Sequence, residues 1–138
     1  MRKLLTISIL TAFTCSSAFA QPRYTMGNDP VTLTASETDP CSYGVIAQLP
    51  PESAIDVYPG PSTDLEPIGQ LAEAHPVWIC ETSNDSEMVG IVYSAFAGND
   101  SEPAEDCGVS SPVAEDIDYL EPCESGWIMA EDVELLAG

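Results

Sequence analysis

The sequence predicts an all-β domain that closes into a small barrel or sandwich of about five short strands. Three observations carry this reading. Short runs rich in Val, Ile and aromatic residues recur between clusters of Pro, Gly, Ser and Asp. Beyond the N-terminal segment, no apolar 3.6-residue period persists long enough for a helix of a few turns. The third observation is a rigid break at Pro59-Gly60-Pro61, directly after the β-like run 54–58. Proline lacks a backbone donor and pushes its predecessor out of the helical region, so the chain must turn there rather than coil.

The elements follow in order. Residues 43–49, Tyr-Gly-Val-Ile-Ala-Gln-Leu, are the first convincing strand, and Pro50-Pro51 ends it. Residues 54–58 are the second. Ser62, Thr63 and Asp64 extend the turn with side chains that bond nearby backbone. Residues 68–71 and 76–81 form a third, bent element with Ala72-Glu73-Ala74-His75 at the bend. Residues 88–93, Met-Val-Gly-Ile-Val-Tyr, are apolar almost throughout, which predicts a strand buried on both faces. Residues 126–129 are the fifth strand, 130–133 a single helical turn, and 134–136 a closing segment. Residues 31–34 read as a short edge strand. Between the fourth and fifth strands lies a long irregular stretch, 94–125, within which residues 113–119 read as a small strand or turn. A loop of that length in a compact domain calls for a function or a staple.

The N-terminus reads as a secretory signal over residues 1–20, with Arg2-Lys3, an apolar centre, and Ala18-Phe19-Ala20 before the cleavage point. The apolar run is too short to span a bilayer. A lipid anchor at Cys15 is disfavoured, because Ala12-Phe13-Thr14 lacks the Leu and the small preceding residue such sites use. Residues 21–42 read as a polar, loosely held leader tied down near Cys41, and 43–138 as the domain. After Ala20 the chain holds all 23 acidic residues against Arg23 alone, a net charge of −22 with no lysine. Nucleic acid is excluded as a partner, since phosphate contacts need a basic footprint. Anionic membrane surfaces are equally unsuited. High charge gives solubility, and it would also steer in a cationic partner.

Cys41, Cys80, Cys107 and Cys123 remain after cleavage, an even number in an exported chain, which predicts two disulfides. Three pairings are open. Cys41–Cys80 with Cys107–Cys123 is favoured, because it keeps one bridge local to the late loop and staples it. The wide spacings and the absence of C-x-x-C argue against zinc.

Several of these stretches together resemble the bacterial SH3-like (SH3b) family. They are Gly44-Val45-Ile46, then Asp56-Val-Tyr-Pro-Gly-Pro-Ser-Thr63, then Ile68-Gly-Gln-Leu71 with Pro76-Val-Trp-Ile79, and finally Gly126-Trp-Ile-Met-Ala-Glu-Asp-Val-Glu-Leu-Leu136. The resemblance covers about residues 43–138. It implies a small SH3-like barrel with a long disulfide-stapled loop before the last strand. It also implies a non-catalytic module that binds a peptide, a cell-wall fragment or a protein of the envelope. Two departures matter. Tyr58 stands where the family often has Arg, and the 94–125 connection is far longer than the family's.

No catalytic constellation emerges. His75 is the sole histidine and precedes a proline in a bend, which suits a turn residue better than a general base. No cofactor is indicated. Asn99-Asp100-Ser101-Glu102 with Glu105-Asp106, and Glu115-Asp116-Ile117-Asp118, supply hard oxygens and leave calcium as a cation to consider, without an EF-hand loop. Asn84 and Asn99 lie in glycosylation sequons, which matter only in a eukaryotic pathway. Among the aromatic residues, Trp78 and Trp127 read as core, while Tyr58, Tyr93 and Tyr119 are the candidate ligand-binding residues. The predicted role is a binding module in the periplasm or outside the cell. The alternative is an acidic inhibitor or immunity-type protein that blocks a cationic enzyme such as a lysozyme, with the braced loop as a pre-organised plug.

Overall fold

A computed structural model describes residues 27–95 and 106–137. The expected signal, the first residues of the leader and the Asn99–Glu105 part of the calcium proposal lie outside the described residues.

The described chain is all-β. Its strands are β1 (Thr32–Leu33), β2 (Ser42–Ile46), β3 (Ala54–Val57), β4 (Gly69–Ala72), β5 (Pro76–Thr82), β6 (Met88–Tyr93), β7 (Ile117–Asp118), β8 (Glu124–Met129) and β9 (Val133–Ala137). A 3-10 turn at Ala130–Asp132 separates the last two. Five strands form one sheet in the order β8-β6-β5-β2-β9, while β3 pairs with β4 and β1 with β7. All these pairings are antiparallel. The expected closed barrel is not found. β8 and β9 remain the two ends of the large sheet, and β3 reaches β8 through one bridge, Tyr58 to Trp127. That bridge holds two backbone bonds of 2.8 Å. Gly126 makes it feasible, since a Cβ there would stand 2.4 Å from Val57 Cγ1 and 2.9 Å from the Tyr58 carbonyl oxygen.

The five-stranded sheet has a core on each face. On one side Ile46, Val77, Val89, Ile91, Tyr93 and Ile128 pack under the β3–β4 pair, with Ile55, Val57 and Leu71. On the other, Met88, Val92 and Trp127 pack with Val31, Leu33, Val109, Tyr119 and the four described cysteines, Cys41, Cys80, Cys107 and Cys123. Alternation along a strand divides β6 between them, Val89, Ile91 and Tyr93 one way and Met88 and Val92 the other. This explains the continuous apolar run, and all six residues are buried.

The second face is covered by the two segments that the sequence reading left least structured. Val31 and Leu33 are buried core residues, so the leader is not loosely held once it reaches β1. The late segment is not a free loop either. β7 pairs with β1, Ser36 bridges Val113, Tyr119 donates its N–H to the Val31 carbonyl, and Ala35 N–H donates to Asp116 Oδ1 at 2.7 Å. The leader and the insertion supply each other's backbone partners, a long-range pairing that no local sequence signal announces. Both disulfides take the favoured pairing, Cys41–Cys80 across β2 and β5 and Cys107–Cys123 within the cover.

Candidate functional site

The three candidate tyrosines do not gather into one site. Tyr93 is buried, donates its hydroxyl to Glu124 Oε2 at 3.2 Å, and meets the His75 ring edge-on at 6.0 Å. Burial first, then the Glu124 charge and hydrogen bond, push its pKa up to about 12. Tyr119 is also buried. Its hydroxyl donates to the Cys107 carbonyl at 2.7 Å and accepts from the Cys123 N–H at 3.0 Å, so it ties both ends of the late disulfide loop. Tyr58 is half-buried and carries the bridge to Trp127. Two of the three therefore hold the core together rather than face a ligand.

His75 is buried, and its Nε2 is 2.9 Å from the Ser94 carbonyl oxygen. Among the described residues no three of His, Cys, Asp and Glu gather as metal ligands. Asp116, one of the calcium candidates, is engaged with the Ala35 N–H.

The tryptophans divide. Trp127 is core, and its Nε1 donates to the Asp29 carbonyl at 2.7 Å. Trp78 is only half-buried, contrary to the expectation of a core residue. It lies directly opposite Tyr43 in the β2–β5 register, and the two rings meet edge-on with centroids 5.1 Å apart at 61°. Such pairs stabilise by about 0.5–1.5 kcal/mol beyond the area they bury. Ala137 of β9 lies opposite Tyr43 on its other side, so Ala137, Tyr43 and Trp78 form a row across three strands.

This row is where the cover stops. It floors a groove of about 660 Å³, walled by Glu37, Thr38, Asp39 and Pro112 from the two covering segments. Cys41 lines it as well, so the Cys41–Cys80 bridge fixes the strands that carry the two rings. Glu37 and Asp39 are exposed, and the described residues include no lysine or arginine to neutralise them. Aromatic faces beside unpaired carboxylates suit a cationic group. A positive charge over a tyrosine or tryptophan face stabilises by about 0.5–2 kcal/mol, depending on how far it is desolvated.

A sequence signal for this pair did exist. Antiparallel strands bridged at Cys41 and Cys80 place Tyr43 opposite Trp78 two residues further along, so the favoured disulfide already implied the aromatic contact. No family model, curated protein or solved structure matches this chain.

Proposed function

We propose that this chain is a non-catalytic binding module of the bacterial cell envelope, exported after cleavage near Ala20, whose groove at Tyr43 and Trp78 holds a peptide or protein segment. The observation that carries the reading is the half-exposed aromatic pair in an acid-walled groove, held in register by a disulfide. An SH3-like ancestry is part of the proposal. The strand order supports it: the β3–β4 pair is inserted between β2 and β5, and a 3-10 turn precedes a closing strand that returns beside β2. Two disulfides fit an oxidising compartment, periplasmic or extracellular.

The test is an NMR titration of the exported protein with envelope peptides and soluble cell-wall fragments. Shifts should centre on Tyr43, Trp78 and Asp39, and Trp78→Ala should abolish them while the remaining spectrum stays folded. Binding mapped to another surface would overturn the assignment of the site.

The inhibitor reading draws on a different observation. Leu120 is 82% exposed within the loop closed by Cys107 and Cys123. Were that loop a plug, Leu120→Asp would abolish inhibition of a lysozyme and Trp78→Ala would leave it intact.

A further inference from the structure

The aromatic groove opens onto an edge of the sheet. β9 pairs with β2 on one side and with no described strand on the other. An unpaired edge presents a row of backbone donors and acceptors to any extended chain. Natural edges are commonly blunted by lysine, proline or an inward charge. β9, Val-Glu-Leu-Leu-Ala, has none of the first two, and Leu135 and Leu136 are 60% and 54% exposed.

The register states which face of this edge meets the groove. Gly44 and Ile46 of β2 are buried, while Tyr43 and Val45 alternate onto the groove face. Glu134 lies opposite Val45 and Ala137 opposite Tyr43, with a bulge between, so Glu134 and Ala137 share that face. Leu135 lies opposite Gly44 on the other face. A strand added beside β9 would run about 5 Å from it and about 10 Å from β2. Ala137 offers only a methyl between such a strand and the Tyr43 ring. A Lys or Arg side chain could therefore cross Ala137 and end over the Tyr43 ring, which Trp78 meets edge-on, in the groove that Asp39 and Glu37 wall. The alternate residues of that strand would pack against Leu135.

We propose, resting on the binding reading above, that the ligand is an extended segment of a basic protein partner. It adds as a strand to the free edge of β9 and alternates cationic with apolar side chains. Backbone pairing supplies the anchorage, and the groove selects the charge. Charge complementarity decides the occupant. Beyond residue 20 this chain has one basic residue against 23 acids, so a second copy would bring like charge to the same edge.

The probe is an acetylated, amidated peptide of alternating arginine and valine, with its citrulline counterpart as a neutral isostere. Both are titrated into the full exported protein, followed by amide exchange and NMR. The arginine peptide should slow exchange of the outward-facing β9 amides by about tenfold or more. It should also shift Tyr43 and Trp78, and its affinity should fall as salt shortens the Debye length below about 8 Å. The citrulline peptide should bind about tenfold more weakly or worse, a loss of about 1.4 kcal/mol or more. Ala137→Phe, at an exposed position, should block the crossing and reduce binding similarly without loss of fold. Shifts in the groove with β9 amides unprotected would overturn strand addition while leaving the groove as the site. Equal binding of the citrulline peptide would overturn the charge selection. Protection of β9 without peptide, with a doubled mass in solution, would show that a second copy is the occupant. Silence of Tyr43 and Trp78 toward every ligand, neutral peptides and cell-wall fragments included, would overturn the groove reading itself.

Discussion

The hydroxyl of Tyr119 is buried between the two ends of the late disulfide loop. It accepts from one end of the late disulfide loop and donates to the other, both within the core. Tyr119→Phe leaves the Cys107 carbonyl and the Cys123 N–H without this partner. A stability loss of about 1–3 kcal/mol is expected by denaturant unfolding, with the disulfide intact. A loss near zero would mean that water replaces the hydroxyl. Tyr93 yields a pH prediction. Its folded pKa, about 12, lies above the value of about 10 for an unperturbed tyrosine. The folded state therefore holds this proton more tightly than the unfolded state. The associated stability is complete below pH 10 and is lost as pH rises from about 10 to about 12. In ultraviolet titration Tyr93 should ionise late, and Glu124→Gln should bring its titration earlier by removing a nearby negative charge. At this scale the sequence pointed to the right residue types but not to their exposure. Tyr93 ends an almost wholly apolar run, which was a sign of burial, whereas the burial of Tyr119 depends on a cover assembled from distant segments.

Strands β2 to β6 and β8 were legible because each is a local run bounded by Pro, Gly or polar turn residues. The disulfide pairing was legible too, and with it the register that sets Tyr43 against Trp78. The cover was not. β1 and β7 are two residues each, and they form because Val31, Leu33 and Val109 find the exposed apolar side of β6 and β8. That is a tertiary gain with no periodic signature. Two predictions test this division. Replacing Cys107 and Cys123 together by Ser removes a staple spanning 16 residues, a loss of about 3 kcal/mol on the chain-entropy model. Amide exchange should rise first in β1, β7 and Val109, with β5 and β6 still protected. Uniform loss of protection would mean that cover and sheet unfold as one unit. Gly126→Ala tests the other face. Its methyl would collide with Val57 and the Tyr58 carbonyl, so the β3–β8 bridge must yield, at a cost of about 1–3 kcal/mol.

Across the whole molecule, the unbalanced charge governs behaviour that no single contact explains. The described residues contain many carboxylates and no lysine or arginine, so the surface lacks the ion pairs that usually offset mutual repulsion. Folding brings these carboxylates closer together, and the compact state is penalised relative to the extended one. Screening relieves that penalty most where it is largest, at low ionic strength. The melting temperature at neutral pH should therefore rise with sodium chloride, steeply up to about 0.15 M, where the Debye length is about 8 Å, and gently beyond. Peptide binding in the groove should respond in the opposite direction, because salt weakens attraction between the carboxylates and a cationic ligand. The two slopes form one argument. Added salt should make the domain more stable and a poorer binder, and scanning calorimetry beside peptide titration in the same buffers reads both. A melting temperature that stays flat or falls would show that the charges lie too far apart to matter for stability. The electrostatic case for a basic partner would then rest on Glu37, Asp39 and Glu134 alone.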